Sequence, residues 1–464
     1  MKFRNLIVLS IIATVVSISA CRDDFDFDIA SESLRFSQDT LNLDTIFNHT
    51  NSQTYKLTIH NKENKDIEIP RIYLSKGESS FFKMNVDGMP GFDFENVAVR
   101  KRDSILIFVE IAAGEAPINP LYEDEINFEI STGSQQIKLL SYIEKAKFYN
   151  TEMDENYQLS ESTWSNDYSR VIFGTVNANN LTIGPKTKVY FHDAANLTVN
   201  GQLNVQGSLN NEVIFRTDRM DERSDSLPNM WGKIKIKSPN TSLVNSIDYA
   251  VIKGGSVGLE VDQSRLEIKN TKILNNERIG LYGINAILRG ENMVINNSNI
   301  ASLAIEGGDV QFIHSTFGNF FNIGTGAGGN YSMYLSNVGE NNVSIPLTQA
   351  NFYNCIFYGR ASNALIFEQG STTFNHNFKN NIIRLDFPNE ISGIDNSNKN
   401  EDPMFVNSGF GKNDLRLVLE SPAAGWGDPT YSTWVPFDIL NQSRTGSAPT
   451  PGAYQNLVNP EDLN

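Results

Sequence analysis

Hydrophobic and polar positions alternate in short runs between residues 31 and 148. Tyr55-Lys56-Leu57-Thr58-Ile59, Asp66-Ile67-Glu68-Ile69 and Glu125-Ile126-Asn127-Phe128-Glu129-Ile130 each have period two, and Ser104 to Ile111 (SILIFVEI) is a more continuous apolar strand. Turn residues separate the runs at Asn61-Lys62-Glu63-Asn64, Lys76-Gly77, Asp87-Gly88 and Thr132-Gly133. Period-two runs at this spacing, with no helical pattern, predict an antiparallel β-sandwich.

A different rhythm follows. After a linker expected at 149–169, residues 170–400 repeat a polar–small–apolar tetrapeptide. Its copies are Tyr249-Ala250-Val251-Ile252, Asn270-Thr271-Lys272-Ile273, Asn292-Met293-Val294-Ile295, His314-Ser315-Thr316-Phe317, Asn354-Cys355-Ile356-Phe357 and Asn380-Asn381-Ile382-Ile383. The last residues are spaced by 21, 22, 22, 40 and 26. A period near 22 predicts one turn of a parallel β-helix, each coil burying its apolar residues against the next. The chain carries 55 Asn, 39 of them after residue 180. An Asn amide can donate to the coil above and accept from the coil below, so the excess is read as ladders within the solenoid. The step of 40 places an insertion at about 323–349, rich in Gly and Asn and containing Tyr331. A long loop on a rigid scaffold reads as a binding element or, equally, as a flexible decoration. The whole chain is therefore expected to be all-β.

Several segments resemble known families. Leu181-Thr182-Ile183-Gly184, Asn196-Leu197-Thr198-Val199-Asn200-Gly201-Gln202-Leu203-Asn204-Val205-Gln206-Gly207 and Val213-Ile214-Phe215 have the strand–Gly–strand rhythm of right-handed, pectate-lyase-like β-helix lipoproteins. The resemblance continues through Asp402-Pro403-Met404-Phe405, Ser421-Pro422-Ala423-Ala424-Gly425-Trp426-Gly427 and Pro451-Gly452-Ala453-Tyr454. It implies that 401–464 is a capping segment closing the last coil. The order of strands in 31–148 looks like an Ig-like domain of the abnormal-spindle/Hydin type, which carries no catalytic residue.

The first residues add an address. Lys2 and Arg4 precede an apolar stretch from Leu6 to Ile18, and the run ends Ile18-Ser19-Ala20-Cys21. Residues 1–20 read as an export signal too short to span a bilayer comfortably. The ending resembles a bacterial lipobox, which implies lipidation at Cys21 and a membrane anchor. Residues 21–30 form a tether, and Arg22-Asp23-Asp24-Phe25-Asp26-Phe27-Asp28 resembles the surface-export patch of Bacteroidetes lipoproteins. The expected location is the outer membrane, facing the exterior, with its periplasmic face as the alternative. With Cys21 modified, Cys355 alone remains, so no intrachain disulfide forms and Cys355 reads as a small buried hydrophobe.

Charge and chemistry narrow the function. With 38 basic and 54 acidic residues the net charge is −16, which argues against a nucleic-acid partner. The acid motifs of polygalacturonase-type hydrolases and the Trp-Ile-Asp-His string of pectate lyases are absent, so no catalytic residue is assigned. His314, at the ladder position, reads as structural. The densest polar cluster is Arg216, Asp218, Arg219, Asp221, Glu222 and Asp225, followed by Trp231. It could hold Ca²⁺ through carboxylates or an acidic sugar through Arg, with Trp231 stacked on a sugar ring. It could equally be a self-paired solvated loop, and no cofactor is assigned.

The function expected is a non-catalytic binding scaffold for glycans. The alternatives are a lyase or hydrolase with an unfamiliar site at 216–231 or 323–349, and a purely structural envelope protein. Protease treatment of intact cells should cleave the protein; its survival would contradict surface display.

Overall fold

The computed structural model describes residues 27–463 apart from 155, 222, 239, 324–328, 388–392, 395, 396, 410, 445 and 447. Residues 1–20, expected as an export signal, Cys21 and most of the expected tether thus lie outside the described residues. The chain is nearly all β and forms two compact units, divided between Lys145 and Ala146. Among the described residues no helix is long and apolar enough to cross a membrane.

The first unit has a seven-stranded and a five-stranded sheet sharing one core. The expected strands form as Tyr55–His60, Ile67–Leu74, Ser104–Ile111 and Leu121–Ile130. Two features differ from the sequence expectation. Pairing is not wholly antiparallel: Asp28–Ile29 joins Ile67–Glu68, Thr40–Asn42 joins Lys138–Leu140, and Ile46–Phe47 joins Ile143–Glu144, all in parallel. These partners are two- or three-residue edges, too short to show a period. Ser104–Ile111 is apolar on both faces yet buried on one, leaving Leu106 and Phe108 exposed.

The second unit is built of large parallel sheets in a β-helix-like arrangement. Three stacks of strands follow one another around each coil. The first runs over ten strands from Ala146–Asn150 to Ile382–Ile383. The second begins at Thr175–Ala178 and the third at Thr163–Trp164. Ile279–Glu291 and Ala301–Ile313 each run through the second and third stacks without a break.

The sequence repeat is the register of the first stack. Ile252 pairs with Ile273, Ile273 with Ile295, Ile295 with Phe317, Phe317 with Phe357, and Phe357 with Ile383. All six point inward and are buried. Like side chains therefore stack along the interior: Phe317 on Phe357 at 5.0 Å and Phe352 on Phe378 at 4.8 Å between ring centroids. Burying each such side chain contributes roughly 1.5–3 kcal/mol.

The Asn excess has a backbone cause beside the ladder. The first residue of every repeat (Tyr249, Asn270, Asn292, His314, Asn354 and Asn380) has φ between 46° and 56°. This left-handed corner turns the chain into the first stack, and Asn tolerates it better than most residues. A short ladder forms where Asn292 donates to Asn270 (2.8 Å) and Asn270 to Asp248 (2.9 Å). His314 is fully buried in the same row, its Nε2 2.9 Å from Ser432 Oγ. Cys355 is buried in the interior, where desolvation pushes its thiol up to about 12.

Three boundaries move. The stretch 149–169, expected as a linker, holds coil-forming strands: Ala146–Asn150 pairs with Ser169–Phe173, and Thr163–Trp164 with Leu181–Ile183. Its polar composition and two-residue strand conceal it from periodicity. The insertion at 323–349 is divided. Tyr331–Ser336 is a strand of the second stack, so the extra residues fall partly before it and partly between Ser336 and Leu347.

The segment 401–464 is not confined to the last coil; it folds back along the solenoid. Asn413 bonds Asn275, Asn296 and Asn297, the Phe437 carbonyl accepts from Asn292, and the Asp428 carbonyl from Asn354. Leu415, Ile439, Ala453 and Tyr454 cover Val294, while Leu417 and Ala423 cover Ile356 and Ile382. Val294, Ile356 and Ile382 neighbour inward-facing residues and so point outward from their strands. They make an apolar stripe that needs a cover. Leu415→Ala should cost about 2–5 kcal/mol in denaturant unfolding of the solenoid and expose 401–458 to limited proteolysis.

Candidate functional site

Five of the charged side chains in the cluster at 216–231 are paired, partly with each other and partly with residues outside it. The cluster lies in the connection between Val213–Thr217 of the first stack and Trp231–Ile236 of the second. Arg216 and Lys253 both contact Asp225, at 2.8 and 2.5 Å. Asp218 pairs with His192 Nδ1 at 2.8 Å, and Arg219 with Asp221 at 3.2 Å. Asp221 also accepts from the Ser224 hydroxyl at 2.6 Å, which holds its carboxyl below the usual range. Glu222 lies outside the described residues. Among the described residues no group of three His, Cys, Asp or Glu side chains is arranged to hold a metal ion.

Trp231 is not open to a sugar. It is 1% exposed, its ring stacks on Phe191 at 4.3 Å, and its Nε1 donates to the Lys253 carbonyl at 2.8 Å. Strict alternation from the inward Ile234 and Ile236 would place Trp231 with Lys233 and Lys235; the pairing register is irregular between Lys233 and Ile234, and Trp231 joins the buried core. Tyr331 is four rungs away, through the pairs Lys233–Val257, Val257–Ile279, Ile279–Ala301 and Ala301–Tyr331. At about 4.8 Å per rung that is about 19 Å, so Tyr331 does not reach the charged cluster at 216–225.

Tyr331 instead belongs to the outer face of the second stack, a site the sequence reading missed. Val257, Ile279, Ala301 and Ala304 form an apolar patch there, with the half-buried Tyr282, Tyr331 and Tyr334 packed against it. The register explains the grouping: Tyr282 pairs with Ala304 and Ala304 with Tyr334. The alanine between two tyrosines leaves room for both rings to lie over it.

Carboxylates rim this patch. Tyr282 donates its hydroxyl to Glu306 at 2.6 Å, and Tyr334 donates to Glu368. Glu306 and Glu368 flank Ser336 in one outward row, two rungs apart. Burial raises the Glu306 carboxyl above its ordinary value, helped by the charges of Glu340 and Glu368. Burial also raises the Tyr334 phenol, to about 12, with Glu368 adding to it. On the preceding rungs Glu260 behaves oppositely. Burial pushes it up, but Lys233 (2.6 Å) and Lys235 (2.7 Å) hold it ionised below its ordinary value.

A groove of about 370 Å³ opens at the corner of the same face, lined in part by Asp193, Asn196, Asn229, Lys233, Ser256 and Arg278. Val257 lines it as well and also belongs to the tyrosine patch, so groove and patch are continuous.

Comparison with known proteins adds little. No protein-family model matches the chain, and no curated protein matches it. A solved family 123 glycoside hydrolase from Clostridium perfringens, described for glycolipid glycan hydrolysis, aligns over 27% of this chain and 26% of its own. Its identity is 10% and its TM-score 0.19, a likeness that bears on neither fold nor activity.

The raised Glu306 gives a pH test. A carboxyl raised in the folded state favours the protonated form, so its contribution is complete below about 4.5 and lost as pH rises through the folded value. Glu306→Gln, which mimics the protonated form, should therefore unfold at a higher temperature than wild type at neutral pH. The gap should close as pH falls toward 4.5. Melting curves from pH 4 to 8 check this; a gap independent of pH would contradict the shift.

Proposed function

We propose that the protein is an outer-membrane lipoprotein, anchored through Cys21 and displayed outward, whose solenoid binds an extended glycan without transforming it. One observation carries the binding reading: Tyr282, Tyr331 and Tyr334 lie over a single apolar patch, bordered by Glu306 and Glu368. A sugar has apolar C–H faces and hydroxyl rims. Tyrosine rings match the first and carboxylates accept from the second. The scaffold suits an extended ligand, because each rung repeats the surface at about 4.8 Å.

Further support comes from general rules. Parallel strands joined by a crossover are right-handed in about 98% of cases, so we take the coil as right-handed and pectate-lyase-like. Two sheets over one core agree with an Ig-like first unit serving as spacer. The export signal and lipobox residues support the anchor.

A second reading, glycan hydrolysis, is favoured by the raised Glu306 carboxyl two rungs from Glu368, the kind of paired acids such chemistry uses. Calorimetric titration of the whole protein against a broad polysaccharide panel tests both. Binding should appear for at least one glycan and weaken about tenfold in Tyr331→Ala and in Tyr334→Ala, about 1.4 kcal/mol each. No binding across the panel would overturn the proposal. Reducing ends released by wild type and not by Glu306→Gln would replace it with the second reading.

A further inference from the structure

We propose that the groove at the corner of the tyrosine face is a subsite for one carboxylate-bearing sugar, selected by Arg278, within an otherwise neutral oligosaccharide. This rests on the glycan reading above and names its ligand class. Arg278 lines the groove, is exposed, and makes no ion pair or side-chain hydrogen bond among the described residues. Its backbone is pinned on both sides: its N–H donates to the Ser256 carbonyl at 2.9 Å, and its own carbonyl accepts from Ile300 at 2.9 Å and Ala301 at 3.3 Å. The backbone is thus fixed in the ladder while the guanidinium is left without a partner among the described residues, and a guanidinium matches the two-pronged geometry of a carboxylate.

The other charged groups of the groove do not compete for that role. Lys233 is engaged by Glu260 at 2.6 Å. Asp193 lies three rungs from Arg278, through the contacts of Ala195 with Gly232, Trp231 with Gly255 and Ser256 with Arg278, or about 14 Å. On the other side Tyr331 lies two rungs beyond Arg278, since its N–H bonds the Ile300 carbonyl. A ligand anchored at Arg278 therefore continues onto the tyrosine patch. There Glu306 and Glu368, bonded to tyrosine hydroxyls and to no cation among the described residues, repel further negative charge. The face thus accepts one acidic sugar at its corner and neutral sugars beyond. A polyuronate, charged on every unit, is excluded.

The test uses the full-length protein and three probes in calorimetric titration: a xylo-oligosaccharide bearing one glucuronic acid, its carboxyl-reduced form, and an oligogalacturonate of equal length. The singly acidic probe should bind about tenfold more tightly than its reduced form, and the oligogalacturonate more weakly than either. Arg278→Gln, at an exposed position, should erase the tenfold preference, so that the acid and reduced probes bind alike. Equal affinity for acid and reduced forms, tighter binding of the oligogalacturonate, or a preference that survives Arg278→Gln would each overturn the subsite while leaving glycan binding intact. Absence of binding by all three probes would count against the glycan reading, and the subsite would fall with it.

Discussion

The solenoid depends on one constraint: every coil must present an apolar side chain at the same inward place as its neighbours. Backbone donors and acceptors of a parallel strand are satisfied only by the strands above and below. Once the ladder is formed, the residue at a given angular position is stacked on its counterpart one turn away. Ile252, Ile273, Ile295, Phe317, Phe357 and Ile383 are such a column. A one-residue slip would turn the whole column outward. The left-handed corner residue before each of these strands holds the register, and at four of the six corners that residue is Asn.

The same constraint creates a surface that repeats. Outward positions also form columns, and a column's chemistry is whatever the coils happen to supply. On the first stack Val294, Thr316, Ile356 and Ile382 make an outward row that is mainly apolar, and it is covered by the returning segment 401–458. Among its described residues that segment has one short α-helix, Pro429–Trp434, capped by Asp428, and one antiparallel strand pair, Phe405–Asn407 with Asp414–Leu417. On the second stack the apolar column is covered by tyrosines instead, which leaves a half-exposed face with hydroxyl and carboxylate rims. Two apolar stripes of one scaffold thus end differently: one is sealed by the chain, the other is left available to a ligand.

Charge follows the same geometry. The cluster at 216–225 is the densest run of charge along the sequence, yet Arg216, Asp218, Arg219, Asp221 and Asp225 are paired within the loop or with Lys253 and His192. Arg278 stands next to Glu277 in the sequence and attracts no notice there. It becomes conspicuous because the fold puts it at the mouth of a groove with no partner among the described residues. A run of mixed charge neutralises itself locally, whereas an isolated charge depends on what folding brings near it.

The sequence by itself determined what repeats and what alternates. The steps of 21, 22, 22, 40 and 26 are the register of the first stack, and the alternating runs of 31–148 are strands, because burial on one face forces periodicity. Whatever lacked a period was illegible: the two-residue strand Thr163–Trp164, the strand Tyr331–Ser336 inside an apparent insertion, and the return of 401–458 along the coils. The candidate site was illegible for a related reason. Tyr282, Glu306, Tyr334 and Glu368 are separated by 24 to 34 residues in the chain, and only coil stacking, with unequal coils between them, brings them to one face.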